Sequence, residues 1–176
     1  MIKKLAEMNL LTYAPYHGVE LTPGGVRIAL EVIRHHRLLE LYLTEALGYG
    51  WDTVDEEAER LEHVISEEFE AKIDEALGSP TVDPHGGSIP TKDGELDRTD
   101  YVCLSSVKQG QKAVIREVSD RSPEMLRYLS RLGLRLDTTV EVVDRAPFQG
   151  PITIRAQSQD HALGLELANH IFVTTA

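Results

Sequence analysis

The chain has 176 residues, 41% of them apolar, which suffices for one large or two small domains. Its net charge of −11 excludes the footprint of a self-sufficient nucleic-acid binder, and no run approaches the ~18 apolar residues of a membrane span. One cysteine, Cys103, cannot form an internal disulfide, which fits a reducing cytoplasm; it reads as a strand core residue.

Residues 2–11 are predicted to form a short amphipathic helix with Ile2, Leu5, Ala6 and Leu10 apolar and Lys3, Lys4 and Glu7 polar. No N-cap precedes it, so Met1 reads as a start inside a helix. Residues 12–21 alternate around a Pro and Gly turn, as in a β-hairpin. Thr22 is a good N-cap with Pro23 at the first helical position, and a long periodic run ends near Gly48. Its aliphatic residues cover more than one face, which predicts burial against another subunit.

Two helices over 53–65 and 66–77 are expected next, the second capped by Ser66 and closed by Gly78. Residues 79–100, rich in Pro, Gly, Asp and Ser, read as a linker, and His85 within it as a turn residue. From about 101 the pattern changes to short alternating runs at 112–118, 139–144, 152–155, 163–167 and 170–174, with an amphipathic helix at 123–132 ended by Gly133. Five strands and one helix predict a small SH3-like barrel.

The acid excess is concentrated at 24–78, where five basic and fourteen acidic residues leave −9. That segment carries two histidine and carboxylate clusters, His36 with Glu40, and Glu59, Glu62 and His63. On helices these spacings of three and four put each set on one face. Imidazole and carboxylate without thiolate suit Mn²⁺ or Fe²⁺ better than a closed zinc site. His35 points about 100° away from His36 and is expected to pack at a surface or interface. Trp51 is expected to anchor a core or an interface, and the leucines of 38–47 to be core.

His36-Arg37-Leu38-Leu39-Glu40 and Glu57-Ala58-Glu59-Arg60-Leu61-Glu62-His63-Val64, followed by Pro84-His85-Gly86 and Ile89-Pro90, resemble the diphtheria toxin repressor family of metal-dependent bacterial regulators. The resemblance covers nearly the whole chain. It implies an α+β fold: a partial winged helix at 1–21, a helical metal-binding and dimerisation domain at 22–78, a linker at 79–100, and an SH3-like domain, related to ferrous-transport protein A, at 101–176. It also implies a cytoplasmic homodimer that binds operator DNA in the intact architecture. His36, Glu59, Glu62 and His63 match the family's metal ligands, and Glu59 stands where manganese-responsive members have Glu and iron-responsive members have Cys. Mn²⁺ is therefore the expected cofactor, with Fe²⁺ as an alternative and Zn²⁺ or Co²⁺ as ions accepted in vitro.

A second, ancillary site of three-domain members uses the residue matching Glu40 and a His where this chain has Asp55; the barrel ligands near Ser122 and Met125 have no clear match. Family members begin with a winged helix-turn-helix whose first helix supplies further ligands, and those have no counterpart here. Residues 1–11 match the end of the recognition helix and residues 12–21 the wing, leaving Lys3 and Lys4 as the candidate phosphate contacts. Weak or absent DNA binding by this chain alone is expected. An alternative reading is a dimerising metal-binding module acting through mixed dimers. A metal-dependent hydrolase is a remote third, since no His-Glu-x-x-His, Gly-x-Ser-x-Gly or phosphate-cradling loop is present.

Overall fold

The computed structural model describes residues 1–14, 18–97 and 99–175. Helix α1 (Ile2–Glu7) leads into an antiparallel hairpin, β1 (Leu11–Ala14) with β2 (Gly18–Leu21). Pro15 and His17, which the sequence reading put in or near its turn, lie outside the described residues. The expected helix over 2–11 stops early because Asn9 takes a left-handed φ of 56° and turns Leu11 into the hairpin.

Helix α2 (Pro23–Leu47) is set by its ends. Thr22 Oγ1 accepts the Gly25 amide at 3.1 Å, and Gly48 closes the helix in the left-handed region at φ 75°. Its C-terminal half packs on α3 (Val54–Leu61), α4 (Glu67–Ala76) and the segment after them, around Leu38, Leu39, Leu41, Ala58, Ile73 and Ile89. Its N-terminal half leaves Val26 and Ile28 43% and 47% exposed. Helix α3 is shorter than the periodicity predicts: it ends at Leu61, so Glu62 and His63 sit in the turn that follows.

The segment over 79–100 is not a uniformly solvated spacer. Asp83, His85, Ile89 and Pro90 are buried, Arg34 donates to the Pro90 carbonyl at 2.8 Å, and Arg37 donates to the Ser88 carbonyl. His85 does occupy a turn, but its ring is 2% exposed, so the plain turn reading is corrected. His35, expected at a surface or interface, is likewise buried within the chain, at 8% exposure.

The C-terminal part is a six-stranded antiparallel sheet of SH3-like type, in the order β3-β8-β4-β5-β6-β7. Its strands are β3 (Val102–Cys103), β4 (Lys112–Val118), β5 (Thr139–Arg145), β6 (Ile152–Ala156), β7 (Gln159–Leu163) and β8 (Ile171–Thr175). Bulges between Ile115 and Glu117 and between Val142 and Asp144 bend it over α5 (Pro123–Arg131), whose Leu126 and Leu129 are fully buried. The strand expected at 163–167 is corrected. β7 ends at Leu163 and residues Leu165–Asn169 form α6, because Gln157 and Ser158 (φ 49° and 67°) make a tight turn that starts β7 earlier.

The two parts are sewn together by side chains from the first. Trp51 is 6% exposed and belongs to the barrel's core, and its Nε1 donates to Ser130 Oγ at 2.7 Å. The Val118 amide donates to the His85 carbonyl at 2.9 Å. Gly86, at φ 91°, lies so close to the Arg116 carbonyl that a Cβ there would overlap it. No helix among the described residues is long and apolar enough to cross a membrane.

Candidate metal centre

His36 stands one helical turn before Glu40 on the buried half of α2 and is faced by three carboxylates. Its Nδ1 lies 2.7 Å from Glu62 Oε2, and its Nε2 lies 3.6 Å from Glu40 Oε1 and 3.4 Å from Asp55 Oδ1. His63 Nε2 reaches the other Glu62 oxygen at 3.2 Å. The imidazole therefore sits where α2 meets α3 and its terminal turn. The early end of α3 is what lets Glu62 reach back to α2 while His63 stays exposed.

Glu40 is wholly buried and is shared by a second group. His85 Nδ1 lies 3.4 Å from Glu40 Oε1 and 4.0 Å from Asp83 Oδ1, while His85 Nε2 lies 2.7 Å from the Trp51 carbonyl. Asp83 organises its own turn, accepting the His85 amide at 2.7 Å and the Gly87 amide at 2.9 Å through Oδ1. Its other oxygen pairs with Arg37 Nε at 3.2 Å. Neither Glu40 oxygen nor His85 Nδ1 has a hydrogen-bond partner in good geometry among the described residues. Orphaned, buried acceptors beside an imidazole fit a divalent cation.

The electrostatics follow from this crowding. Burial is the largest influence on His36 and would lower its pKa, yet contact with Glu40 and Glu62 outweighs burial and raises it to about 9. His85 behaves alike: Glu40, the Trp51 carbonyl and Asp83 overcome burial and raise it to about 9. Burial would push Glu40 up, but the two rings hold it at about 2. Asp55 is raised by burial, against the pull of His36, with Glu40, Asp120 and Glu59 adding to the rise. Burial, with Glu40, also pushes Asp83 up.

Of the residues singled out in the sequence, His36, Glu40, Asp55 and Glu62 converge, and His63 joins through Glu62. Glu59 is exposed and makes no ion pair or hydrogen bond among the described residues, although its charge is felt at Asp55. Lys3 and Lys4 are exposed on α1, away from this centre in sequence and packed into no core. The sequence reading missed Asp83, His85 and Glu70 as buried polar residues. The signal for the first two was an Asp and a His in a turn next to the apolar Ile89-Pro90 pair, which has to bury itself.

Residues 22–91 match the family described as iron dependent repressor, metal binding and dimerisation domain, and residues 102–175 match the FeoA domain. Together they define the class: a metal-binding and dimerisation domain joined to a FeoA-type barrel. The chain is 29% identical over 163 residues to the diphtheria toxin repressor of Corynebacterium efficiens, covering 87% of this chain and 70% of that protein. It is 38% identical over 140 residues to the iron-dependent repressor IdeR of Mycobacterium tuberculosis, covering 74% of this chain and 61% of that one. Among solved structures it superposes on a manganese-dependent transcriptional repressor in complex with manganese with a TM-score of 0.94, at 39% identity over 99% of this chain and 82% of the other. The manganese regulator SloR superposes with a TM-score of 0.85 at 30% identity, covering 99% of this chain and 81% of SloR. The chain belongs to the diphtheria toxin repressor family of metal-dependent transcriptional regulators.

Proposed function

We propose that this chain is the metal-sensing and dimerising portion, with its barrel, of a cytoplasmic Mn²⁺-dependent transcriptional regulator of metal-ion homeostasis. The observation that carries the reading is His36 facing the carboxylates of Glu40, Asp55 and Glu62 where α2 meets α3 and the turn after it. One imidazole among carboxylates, with no thiolate, suits Mn²⁺, and Fe²⁺ next. When bound, the ion supplies a fixed positive charge and coordination bonds that tie α2 to the end of α3. His36 would give up its proton to ligate; Glu62 and His63 would close the site on the α3 side, and Glu59 is the family's remaining carboxylate. A neutral ring has one lone pair to give, so Glu40 and Asp55 would hold the ion on the Nε2 edge in place of one on the Glu62 edge.

A homodimer is supported by the apolar side chains left exposed on α2, α4 and the turn between α3 and α4, Val26, Ile28, Phe69 and Val64, at 43%, 47%, 46% and 73%. Operator binding belongs to the whole protein in the relatives' architecture. In this chain Lys3 and Lys4 give two phosphate contacts per subunit, too few for tight binding. The helices hold a regulatory ion rather than a reacting substrate, so no turnover is expected.

Anaerobic calorimetric titration with Mn²⁺ tests the reading. Loss of about one bound ion per subunit in His36→Ala and in Glu62→Ala, relative to the wild type, supports it, with Glu59→Ala measuring what that exposed carboxylate adds. Absence of any Mn²⁺ or Fe²⁺ binding would overturn it.

A further inference from the structure

A second histidine on α2 carries a different cluster. His35 is 8% exposed, and its Nδ1 lies 3.1 Å from the main-chain carbonyl of Glu62, to which an Nδ1–H donates. A carbonyl can only accept, so Nδ1 is the protonated nitrogen in this bond and Nε2, on the opposite side of the ring, is the one a cation could take. Nε2 is buried and has no hydrogen-bond partner in good geometry among the described residues. It opens toward the carboxylates of Glu31 and Glu67, and one oxygen of each lies within 4.8 Å of Nε2 and of the other. Glu70 Oε2 is 3.3 Å from the same nitrogen.

These groups come from two elements whose geometry presents them together. Glu31 precedes His35 by four residues on α2, and Glu67 and Glu70 lie in the first turn of α4. A cleft of about 160 Å³ opens from solvent on the three carboxylates, Glu31, Glu67 and Glu70, with the His35 ring behind them. Arg34 does not neutralise Glu31 or Glu67, because its guanidinium is engaged by Glu70 Oε1 at 2.6 Å, Asp74 at 3.2 Å and the Pro90 carbonyl. Neither Glu31 nor Glu67 forms an ion pair among the described residues, although Arg27 and Lys92 also line the cleft.

We infer that Glu31, His35 and Glu67, with Glu70 beside them, form a further binding site for a first-row divalent cation, separate from the His36 centre. One imidazole with its second nitrogen anchored to a carbonyl, plus two or three carboxylates, is a donor set for Zn²⁺, Co²⁺ or Mn²⁺. The ion would clamp the start of α4 to the middle of α2. Its histidine hangs on the main chain of Glu62, whose side chain faces His36, so the two sites share one residue as a link.

The test is a Zn²⁺ titration of the full chain followed by calorimetry and by ¹⁵N NMR of the histidine rings. It is repeated on Glu31→Gln/Glu67→Gln, two exposed positions where the swap keeps size and fold, and on His36→Ala/Glu62→Ala, which removes the other centre. The inference expects a binding event that survives His36→Ala/Glu62→Ala, shifts the Nε2 resonance of His35, and weakens at least about tenfold in Glu31→Gln/Glu67→Gln. Equal affinity and stoichiometry in the wild type and Glu31→Gln/Glu67→Gln, or binding that leaves His35 unshifted, would overturn it. A wild-type chain that shows this event and binds no Mn²⁺ at His36 would count against the proposed function alone.

Discussion

Glu40 and His85 meet at the seam between the helices and the barrel, with 3.4 Å between Oε1 and Nδ1 and both side chains essentially buried. His36 Nε2 lies 3.6 Å from the same Glu40 oxygen. A carboxylate between two rings, one on its own helix and one on the segment leading to the barrel, makes the helix packing and the seam depend on one residue. Replacing Glu40 by Ala removes the buried carboxylate that both imidazoles face and is expected to cost about 3–5 kcal/mol of metal-free stability, the range for breaking a buried pair. Chemical denaturation measures it, and Glu40→Gln, which keeps the volume, is expected to lose less.

The pH dependence of the metal-free protein follows from Glu40 and its other ring, His36. With His36 raised from 6.5 to about 9, its contribution to stability is full below 6.5 and is lost as the pH rises through about 9. With Glu40 lowered from 4.5 to about 2, its contribution is full above 4.5 and is lost as the pH falls through about 2. The two contributions are therefore both complete between pH 4.5 and 6.5, and denaturation midpoints across that range and above it should show the decline on the alkaline side.

Metal binding runs with the opposite sign. An ion at the His36 centre has to displace the ring's proton, so affinity for Mn²⁺ is expected to rise with pH up to about 9. Calorimetry near neutral pH in buffers of differing ionisation heat should register release of about one proton per ion at this ring. No proton release would mean that His36 does not ligate.

Trp51 is the chain's one tryptophan and stacks on His85 with ring centroids 5.9 Å apart and an 18° interplanar angle. Its fluorescence should report the charge of that ring, increasing as His85 loses its proton through about 9 and responding to an ion bound at Glu40. A His85→Phe variant is expected to keep the stacking and lose the pH response.

Gly86 and Gly48 separate two costs. Both have positive φ, 91° and 75°, but only Gly86 lies against a carbonyl, that of Arg116. Gly48→Ala is expected to cost about 1 kcal/mol from the backbone alone. Gly86→Ala should cost about 2 kcal/mol or more and loosen the segment carrying His85 from β4, visible as faster amide exchange at Val118.

What the sequence made legible were features written in local chemistry. Thr22, Pro23 and Gly48 mark the ends of α2, Ser66 and Gly78 those of α4, and the alternation at 112–118 matches β4 residue for residue. The pairing of His36 with Glu40 was legible because helical spacing of four puts both on one face, whereas Glu62 was matched to His36 by the family resemblance and reaches it from the turn after α3. What was not legible came from partners distant in the chain. Gln157 and Ser158 carry no glycine to announce their tight turn, so β7 was placed too late. Asp83 and His85 look like loop residues until Glu40, more than forty positions earlier, is seen to lie against His85. Glu70 looked like one more carboxylate in an acidic first turn, and its burial is explained only by Arg34 on another helix.

The indole of Trp51 belongs to one part of the chain by position and to the other by packing. A fragment cut between residues 91 and 102, where the two family matches part, would take Trp51 out of the cluster of Leu104, Leu129 and Leu134 and leave a void the size of an indole in the excised barrel. The seam that sequence comparison draws is thus not a seam for folding. The barrel carries its last core side chain on a tether of fifty residues, and any rearrangement of the helices has to move through it or break it.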